Sequence, residues 1–370
     1  MTGINPTLAE MATYPFVRLE EKRRELLAGG VDVIDFGKGD PNEPTDPMIR
    51  RALVEALPER SPYPLAAGLP ELREAAARWC DTRFGVDVDP ETEVVPTYGS
   101  KEAIFSLAEV LDTSGKIVAF GEPAYPVYER GAIFAGAGVR TLPLLRDNAF
   151  LPDLDALTDD VALLWVNYPH NPTGAPAPPA FYERLVERAR ELDFWIASDE
   201  AYTELWFDEA PVSALQASDR SRVIVFQTLS KRSSMTGYRS GFVAAPPEVI
   251  AALKAYRPTV GTAPQEFVQR ASVVAWSDER HVEETRARYA AKRDMMIPAI
   301  ESQGWEIVAS QATMYLWVVA PEDAVDRLLD RGVLVSPGDF FGPSGAGYIR
   351  FALVPALDEC RRAAEILRSL

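Results

Sequence analysis

Residues 222–245 read RVIVFQTLSKRSSMTGYRSGFVAA, so two short apolar runs enclose a segment rich in hydroxyl groups. The apolar runs predict two buried strands. Lys231 lies between them, and Arg239 follows it eight residues later. Because only seven of the 38 basic residues are lysines, a lysine here indicates a need for an amine that can form an imine. The segment fits a phosphorylated aldehyde, and a solvated turn lysine is the alternative.

The alternation of short apolar runs with helical stretches extends outward from this segment. From about Glu93 onward, β-branched runs are followed repeatedly by turns and helices, which is typical of a sheet buried on both faces. The length of 370 residues exceeds what a single core serves. We therefore predict an α/β fold in which residues 46–271 form a large, mostly parallel sheet domain with helices on both faces.

The rest of the chain has a different pattern. A long charged helical stretch at 281–302 precedes strands at 306–308, 313–319 and 348–352, with a helix near 322–331 and a closing helix. Strands with helices packed on one side predict a smaller α+β lobe. We assign residues 1–45 and 272–370 to this lobe, including a helix at 16–28 and a short strand at 31–36.

Composition and charge exclude several classes of function. The formal net charge is −17 and the isoelectric point is near 4.7, so the surface repels nucleic acids and anionic membranes. No apolar run approaches the roughly 20 residues that span a bilayer, and the N-terminus has no basic stretch followed by an apolar core. We predict a cytoplasmic protein without a nucleic-acid or membrane partner.

The cysteines and histidines do not suggest a metal centre. Cys80 and Cys360 lie far apart in helix-like sequence, so we expect free buried thiols. Only His170 and His281 are available as imidazole ligands. We predict no metal site.

Polar residues follow the predicted strands at their carboxyl ends, where ligands bind in an open α/β sheet. Ser100 and Lys101 open a helix whose free N–H groups favour a phosphate, although a plain serine N-cap has the same pattern. Asn171 is held extended by Pro172 and can direct its amide toward a ring oxygen. As an isolated match, Asn-Pro-Thr-Gly is also a common turn.

Asp199 directly follows the apolar run FWIAS. A carboxylate at the end of a buried strand costs desolvation unless a positive group meets it, and a protonated pyridine nitrogen is such a group. Keeping that nitrogen protonated makes the ring an electron sink. The sequence therefore predicts pyridoxal 5'-phosphate beside Lys231, with a structural aspartate that caps the next turn as the alternative.

Arg350 lies within the apolar strand YIRFA of the small lobe. A guanidinium in such a strand favours a carboxylate that can bind two of its N–H groups, and an amino-acid substrate supplies one. A permanent internal salt bridge is the alternative. A site between two lobes can close on a substrate and exclude water, which favours the substrate role.

Together, and in this order along nearly the whole chain, these residues resemble the class I/II aminotransferases of the pyridoxal-phosphate fold-type-I superfamily. The resemblance implies that Lys231 binds the cofactor covalently and shuttles the substrate proton. It implies that Asp199 pairs with the ring nitrogen, and that Asn171 and Tyr202 contact the ring hydroxyl. Tyr125, within Glu-Pro-Ala-Tyr-Pro, matches the aromatic residue that stacks on the ring. The implied phosphate cup consists of Ser100, the backbone amide of Lys101, Thr228, Ser230 and Arg239.

The resemblance also implies a homodimer with shared active sites. Tyr63, within SPYPLAAGLPELR, matches the tyrosine that reaches the phosphate in the neighbouring subunit. Arg350 matches the arginine that binds the substrate α-carboxylate, with the backbone near Gly39 beside it. One departure is Gly-Asp-Pro-Asn-Glu at 39–43, where many relatives carry Gly-Glu-Pro-Asp-Phe. It affects the loop expected to cover the substrate.

Several stretches are similar to the N-succinyldiaminopimelate aminotransferases of lysine biosynthesis. They are YPF at 14–16, SKRS at 230–233, GYRSGFV at 237–243, SDEAYTELWFDE at 198–209 and AWSDERHV at 275–282. This similarity implies amino exchange between glutamate or 2-oxoglutarate and N-succinyldiaminopimelate. The distal acid would need a cation, for which Lys101, Arg18 and Arg232 are candidates. An aspartate, alanine or aromatic aminotransferase and a carbon–sulfur β-lyase remain as alternatives on the same site.

Overall fold

A computed structural model describes residues 3–5, 7–8 and 15–370 of the chain. The side chains of residues 15, 16 and 18 are outside this described part. The predicted role of Arg18 as a substrate cation, and the Tyr14 portion of the YPF stretch, therefore fall outside it as well.

Strands and helices alternate along most of the described chain. In chain order the strands are β1 (Ile34–Asp35), β2 (Val94–Thr97), β3 (Ile117–Glu122), β4 (Gly138–Pro143), β5 (Val161–Asn167), β6 (Trp195–Asp199), β7 (Val223–Thr228), β8 (Gly241–Ala244), β9 (Glu306–Ala309), β10 (Tyr315–Val319), β11 (Val333–Leu334), β12 (Ser336–Pro337) and β13 (Tyr348–Ala352). The α-helices are α1 (Pro15–Ala28), α2 (Pro47–Glu55), α3 (Pro70–Phe84), α4 (Gly99–Val110), α5 (Val127–Phe134), α6 (Pro179–Leu192), α7 (Leu229–Arg232), α8 (Pro247–Thr259), α9 (Glu266–Trp276), α10 (Arg280–Glu301), α11 (Ala324–Asp330) and α12 (Leu357–Arg368).

The large sheet has, within residues 15–370, seven strands in the order β2-β8-β7-β6-β5-β3-β4. Neighbours from β7 to β4 pair in parallel, whereas β8 is antiparallel to both β7 and β2. The strand order changes direction between β5 and β3, which is a switch point where α/β proteins bind ligands. The predicted α/β fold with a mostly parallel sheet is confirmed.

Helices cover both faces of this sheet because its strands are apolar on both sides. Leu164 and Val166 of β5 belong to the hydrophobic cluster under α2, α3, α6 and α9. Leu163 and Trp165 point to the opposite face and pack with α4, α5 and α8. Successive strand residues face opposite sides, so one uninterrupted apolar run serves both clusters.

The smaller lobe is built on an antiparallel sheet of order β12-β13-β10-β9, with the parallel pair β1-β11 beside it. Helices α10 and α12 supply Tyr289, Met296 and Leu367 to its hydrophobic cluster. Predicted strand 313–319 begins only at Tyr315, because Thr313 has a φ of 70° and cannot continue a strand. Of predicted strand 31–36, only β1 is formed.

The predicted boundary between the lobes, at residues 271 and 272, remains a prediction. Ala275 and Trp276 at the end of α9 belong to the large-sheet cluster, and Tyr202 and Leu205 belong to the small-lobe cluster. Cys80 and Cys360 are buried, one in each of these two clusters. Within the described residues, no helix combines the length and apolarity needed to cross a membrane.

Candidate active site

A cavity of about 610 Å³ lies at the carboxyl ends of the large-sheet strands, next to the small lobe. Strands β2, β5, β6 and β7 each end at it, and β13 of the small lobe reaches it from the other side. The lining residues are Lys38, Gly39, Asp40, Ser100, Lys101, Tyr125, Asn167, Asn171, Asp199, Ala201, Tyr202, Thr228, Ser230, Lys231, Thr236, Arg239, Tyr315, Phe341 and Arg350. Among the described residues, the structure therefore brings together every predicted catalytic, cofactor-binding and α-carboxylate-binding residue except Tyr63, and of the candidate distal cations it includes Lys101.

Lys231 lies on α7, the single turn of helix that follows β7. Thr228 caps this turn, because its Oγ1 accepts a hydrogen bond from Ser230 N at 3.1 Å. Lys231 Nζ donates a hydrogen bond to the carbonyl oxygen of Gly39. Burial lowers the pKa of Lys231 to about 8, although nearby Asp40 acts in the opposite direction. A larger share of the amine is therefore neutral near pH 7 than in an ordinary lysine.

Asp199 is buried at the end of β6, as predicted. Its Oδ2 accepts a hydrogen bond from Tyr128 Oη at 2.7 Å, and its Oδ1 accepts one from Ala201 N at 3.3 Å. Burial raises the pKa of Asp199 to about 6, against the lowering effect of Tyr128. The ring of Tyr128 stacks on Trp165, with centroids 4.8 Å apart. A cation beside Asp199 would offset the cost of its buried charge.

Arg350 on β13 connects the small lobe to the loop after β5. Its Nη1 donates to Asn171 Oδ1 at 2.9 Å, and its Nη2 donates to Gly37 O at 2.9 Å. Asn171 is held in turn by Asn167, whose Oδ1 accepts from Asn171 N at 3.0 Å. Asn167 Nδ2 also donates to the backbone oxygen of Asp199 at 2.6 Å. One hydrogen-bonded chain thus orients the predicted substrate, ring-oxygen and ring-nitrogen contacts.

Two aromatic residues that the sequence did not single out hold Arg350 in place. Its guanidinium lies 4.2 Å from the ring centroid of Tyr315 and 4.5 Å from that of Phe341. Tyr315 Oη is also 2.8 Å from Tyr202 Oη. A Cβ at Gly39 would lie 2.1 Å from Tyr315 Oη, so the close approach of the loop requires glycine there. The planar cation is thereby fixed between two ring faces.

The residues of the predicted phosphate cup lie where β2 and β7 end. Ser100 lies in the first turn of α4, a twelve-residue helix whose N-terminus favours an anion. Thr228 Oγ1 donates to Ser230 Oγ at 3.0 Å, and Arg239 Nη1 donates to Thr236 O at 2.8 Å. Gly99 has a φ of 67°, and a Cβ there would lie 2.4 Å from Arg239 Nη2. The arginine therefore packs directly against the backbone that opens α4.

We expect Gly99→Ala to weaken binding of pyridoxal phosphate by about tenfold or more, because the methyl group displaces Arg239 and strains the backbone. The matched control is Gly85→Ala. Gly85 has the same φ of 67° but has no atom within 4 Å of the added Cβ. Gly85→Ala therefore strains the backbone in the same way but displaces no neighbouring side chain. Fluorescence titration of the two apoproteins with the cofactor measures the difference, and equal affinities would contradict the assigned role of Arg239.

The residues present fit pyridoxal phosphate. Asp199 is a buried carboxyl group with a raised pKa, Lys231 is an amine with a lowered pKa, and both line the same cavity. The α4 terminus with Arg239 supplies donors for a phosphate. Tyr125 lines the cavity, as its predicted stacking role requires. An aldehyde, a basic ring nitrogen and a phosphate would each meet a group of suitable chemistry.

Two predicted residues do not line the cavity. Tyr63 is fully exposed on the single chain, as a residue that serves a neighbouring subunit would be. Arg232 is 2% exposed and donates to Ala275 O and to the Glu279 carboxylate, so it is unsuitable as a substrate cation. It lies between aromatic rings, and the nearer is that of Trp276, 4.9 Å away. Residue type and spacing did not indicate whether Arg232 lies on the side of α7 that faces the cavity, as Lys231 does, or on the side that faces away from it.

The chain belongs to the family described as aminotransferase class I and II, whose model matches residues 31–367. The match supports a transaminase that uses pyridoxal 5'-phosphate. The resemblance stated from the sequence is confirmed.

Individual relatives show which aminotransferases the chain is similar to. The chain is 41% identical to an LL-diaminopimelate aminotransferase from Aquifex aeolicus in an alignment of 385 positions that covers all of both chains. It also superposes on the substrate-bound structure of BacF from Bacillus subtilis with a TM-score of 0.95, at 29% identity, covering 100% of this chain and 98% of that one. A probable N-succinyldiaminopimelate aminotransferase from Thermus thermophilus gives a TM-score of 0.89 at 31% identity, covering 96% and 99%.

Proposed function

We propose that this aminotransferase exchanges an amino group between glutamate and a diaminopimelate. In the direction of lysine biosynthesis glutamate is the donor and the diaminopimelate is the product, and in the reverse direction the diaminopimelate passes its amino group to 2-oxoglutarate. The observation that carries the proposal is the charge in the cavity. Besides Arg350 and the charged residues assigned to the cofactor, the cavity is lined by the cation Lys101, by Lys38, which pairs with Glu20, and by the anion Asp40. A substrate with an amino-acid group at each end has a second carboxylate and a second ammonium for these residues. The name of the relative from A. aeolicus agrees with this choice.

In this proposal the chain's own residues divide the work around the cofactor. Bound pyridoxal phosphate supplies an electron sink for the substrate carbanion. Asp199 keeps a proton on the ring nitrogen. Lys231 Nζ would take the proton from the substrate α-carbon and deliver it to the cofactor carbon that is bonded to the transferred nitrogen. It can act as this base because its lowered pKa leaves part of the amine neutral near pH 7. Asn171 and Tyr202 bind the ring hydroxyl, and Arg350 binds the α-carboxylate.

The distal end of the substrate would be read by Lys101. Burial lowers the pKa of Lys101, with Arg239 and Arg130 adding to the effect, so an anion near this ammonium would be favourable. Its Nζ lies 5.8 Å from the ring centroid of Tyr125, at the side of the cavity where α4 begins. The exposed Asp40 carboxylate suits a distal ammonium.

N-succinyldiaminopimelate is the second candidate, and the resemblance to the T. thermophilus structure supports it. Its distal nitrogen is an amide and carries no charge. Lys101 could still bind a distal carboxylate, but Asp40 would have no ammonium to meet. This difference in charge ranks the free diaminopimelate first.

A panel of amino donors assayed with 2-oxoglutarate tests the proposal. LL-Diaminopimelate should give the highest kcat/KM, followed by the N-succinyl compound, with aspartate, alanine and aromatic amino acids lower. Aspartate or alanine as the best donor would contradict the substrate choice. Release of pyruvate and ammonia from cystathionine without a keto acid would instead identify a carbon–sulfur β-lyase.

Lys101→Met adds a discriminating variant. The KM for diaminopimelate should rise about tenfold or more through loss of a charge-assisted hydrogen bond. The KM for alanine, which has no distal carboxylate, should stay unchanged. Lys116→Met removes a half-exposed surface lysine and is the matched control. An equal effect on both donors would contradict the role of Lys101 at the distal end.

We propose that the enzyme is a homodimer in which Tyr63 completes the phosphate cup of the neighbouring subunit. Val54, Leu57, Tyr63 and Leu65 are all more than half exposed on the single chain. Such a group of apolar side chains is typical of an interaction surface. We expect sedimentation equilibrium to give twice the mass of 40.8 kDa. A monomer at micromolar concentration would contradict this arrangement.

A further inference from the structure

The loop that follows β1 supplies backbone oxygens to two residues of the active site. Gly37 O accepts hydrogen bonds from Arg350 Nη2 at 2.9 Å and from Ser336 Oγ at 2.6 Å. Gly39 O accepts one from Lys231 Nζ. The position of this loop therefore determines where two charged side chains of the cavity are held.

The loop is anchored at its far end by an ion pair with a buried member. Lys292, in the middle of α10, is 1% exposed. Its Nζ lies 2.8 Å from Glu43 Oε1 and 3.5 Å from Val354 O. The ring centroid of Tyr289, one turn earlier on α10, is 5.2 Å from the same Nζ. A buried ammonium is stable only when paired, so Glu43 cannot leave without a large cost.

A second contact ties the same segment to the residues after α7. Thr45 Oγ1 donates to Ser234 O at 2.6 Å, and both side chains are buried. Ser234 lies three residues after Lys231 and has a φ of 50°. The segment 37–45 is thus fixed to the small-lobe helix α10 on one side and to the Lys231 segment on the other.

Glu43 is one of the positions at which residues 39–43 depart from the pentapeptide Gly-Glu-Pro-Asp-Phe that the resemblance implies. The structure accounts for the departure through Lys292. A phenylalanine at 43 would leave the Lys292 ammonium buried without its carboxylate. The glutamate and the lysine therefore form a matched pair, 249 residues apart in the chain.

We propose that Glu43 and Lys292 are positioning residues for the aminotransferase reaction. Their ion pair fixes the loop 37–45 so that Gly39 O holds Lys231 and Gly37 O holds Arg350. An ion pair has a preferred distance and direction, whereas an apolar contact lets the loop slide. The inference rests on the proposed roles of Lys231 and Arg350 in the same site.

The test uses Glu43→Gln, Lys292→Met and the double variant Glu43→Met/Lys292→Met. The double variant carries no unpaired buried charge, and apolar replacement of a buried pair is often neutral or stabilising. We expect it to unfold at wild-type denaturant concentration, so it separates positioning from stability. Asp155→Asn, which breaks the exposed pair with Arg184, is the matched control.

Two measurements report on the two carbonyl contacts. The first is the KM for the amino donor, which should rise about tenfold in all three test variants while kcat changes less, because the position of Arg350 affects binding. The second is the pH dependence of the rate at which the apoprotein takes up pyridoxal phosphate. Its midpoint follows the Lys231 amine and should fall by about half a unit to one unit, because loss of the Gly39 contact disfavours the ammonium.

A double variant with wild-type KM and wild-type uptake midpoint would overturn the proposal and leave the pair a purely structural role. The same conclusion follows if Glu43→Gln lowers stability alone. Failure of the proposed function has a different signature, because wild-type protein itself would then take up no cofactor or show no transamination. The expected result supports the proposal only if Asp155→Asn keeps the wild-type KM and the wild-type uptake midpoint.

Discussion

Lys231→Ala is expected to abolish the visible absorbance of the lysine-bound cofactor and to lower kcat by about 10⁴-fold or more. Two functions are lost together, since the amine both attaches the cofactor and moves the substrate proton. The lowered pKa of Lys231, about 8, supports this expectation because burial keeps part of the amine neutral near pH 7. The absorbance spectrum and single-turnover kinetics of the purified variant measure the two losses separately.

Lys116→Ala is the control for this variant. Lys116 is half exposed and pairs with Asp112 on the surface, so its removal should leave spectrum and turnover unchanged. Exogenous methylamine should restore part of the turnover of Lys231→Ala, because a free amine can take the proton from the vacated position. A variant that kept the covalent absorbance would show that another lysine carries the cofactor.

Asp199→Asn is expected to lower kcat/KM by about 10²–10⁴-fold, which corresponds to the loss of one charge from a buried pair. An asparagine cannot hold a proton on the ring nitrogen. Burial raises the pKa of the wild-type carboxyl from 3.8 to about 6, so its ionisation costs the apoprotein stability as the pH rises between these two values, and the full cost remains at higher pH. A bound ring cation offsets this cost, and the variant loses that part of the cofactor affinity.

Tyr128→Phe provides a graded comparison with Asp199→Asn. It removes one hydrogen bond to the Asp199 carboxylate while keeping the ring stacked on Trp165. We expect a loss of about 10- to 100-fold in kcat/KM, since a hydrogen bond to a charged group is worth about 1.5–3 kcal/mol. Asp155→Asn, at an exposed position, should have no effect. Wild-type kinetics in Asp199→Asn would refute the ring-nitrogen pairing.

Strand-end chemistry made much of the site predictable from the sequence. Asp199, Asn171 and Lys231 follow apolar runs, and the carboxyl ends of parallel strands must meet at one edge of a sheet. Their proximity therefore follows from the fold class. Arg350 was predictable because a buried guanidinium in an apolar strand requires a partner.

The residues that hold these groups in place were not predictable in the same way. Tyr128 lies on α5, three residues after Tyr125, and its hydroxyl is directed at Asp199 by the packing of its ring, which stacks on Trp165. Tyr315 and Phe341 meet Arg350 through the tertiary arrangement of separate segments. The sequence showed that Glu43 departs from the pentapeptide implied by the resemblance, but no feature of the neighbouring sequence connects Glu43 with Lys292. Contacts between distant segments depend on packing, which periodicity does not encode.

The antiparallel strand β8 fixes the distance between the two strands that it pairs with, β2 and β7. It separates β2, which leads to Ser100, from β7, which leads to Lys231, and both of those strands run in the same direction. Two strand spacings of about 4.8 Å place the backbones of β2 and β7 about 10 Å apart. Gly241 keeps this strand slim, since a Cβ there would lie 2.4 Å from Gln227 O. Pyridoxal without its phosphate would meet Lys231 after β7 but would lose the contacts that the start of α4, after β2, offers to an anion.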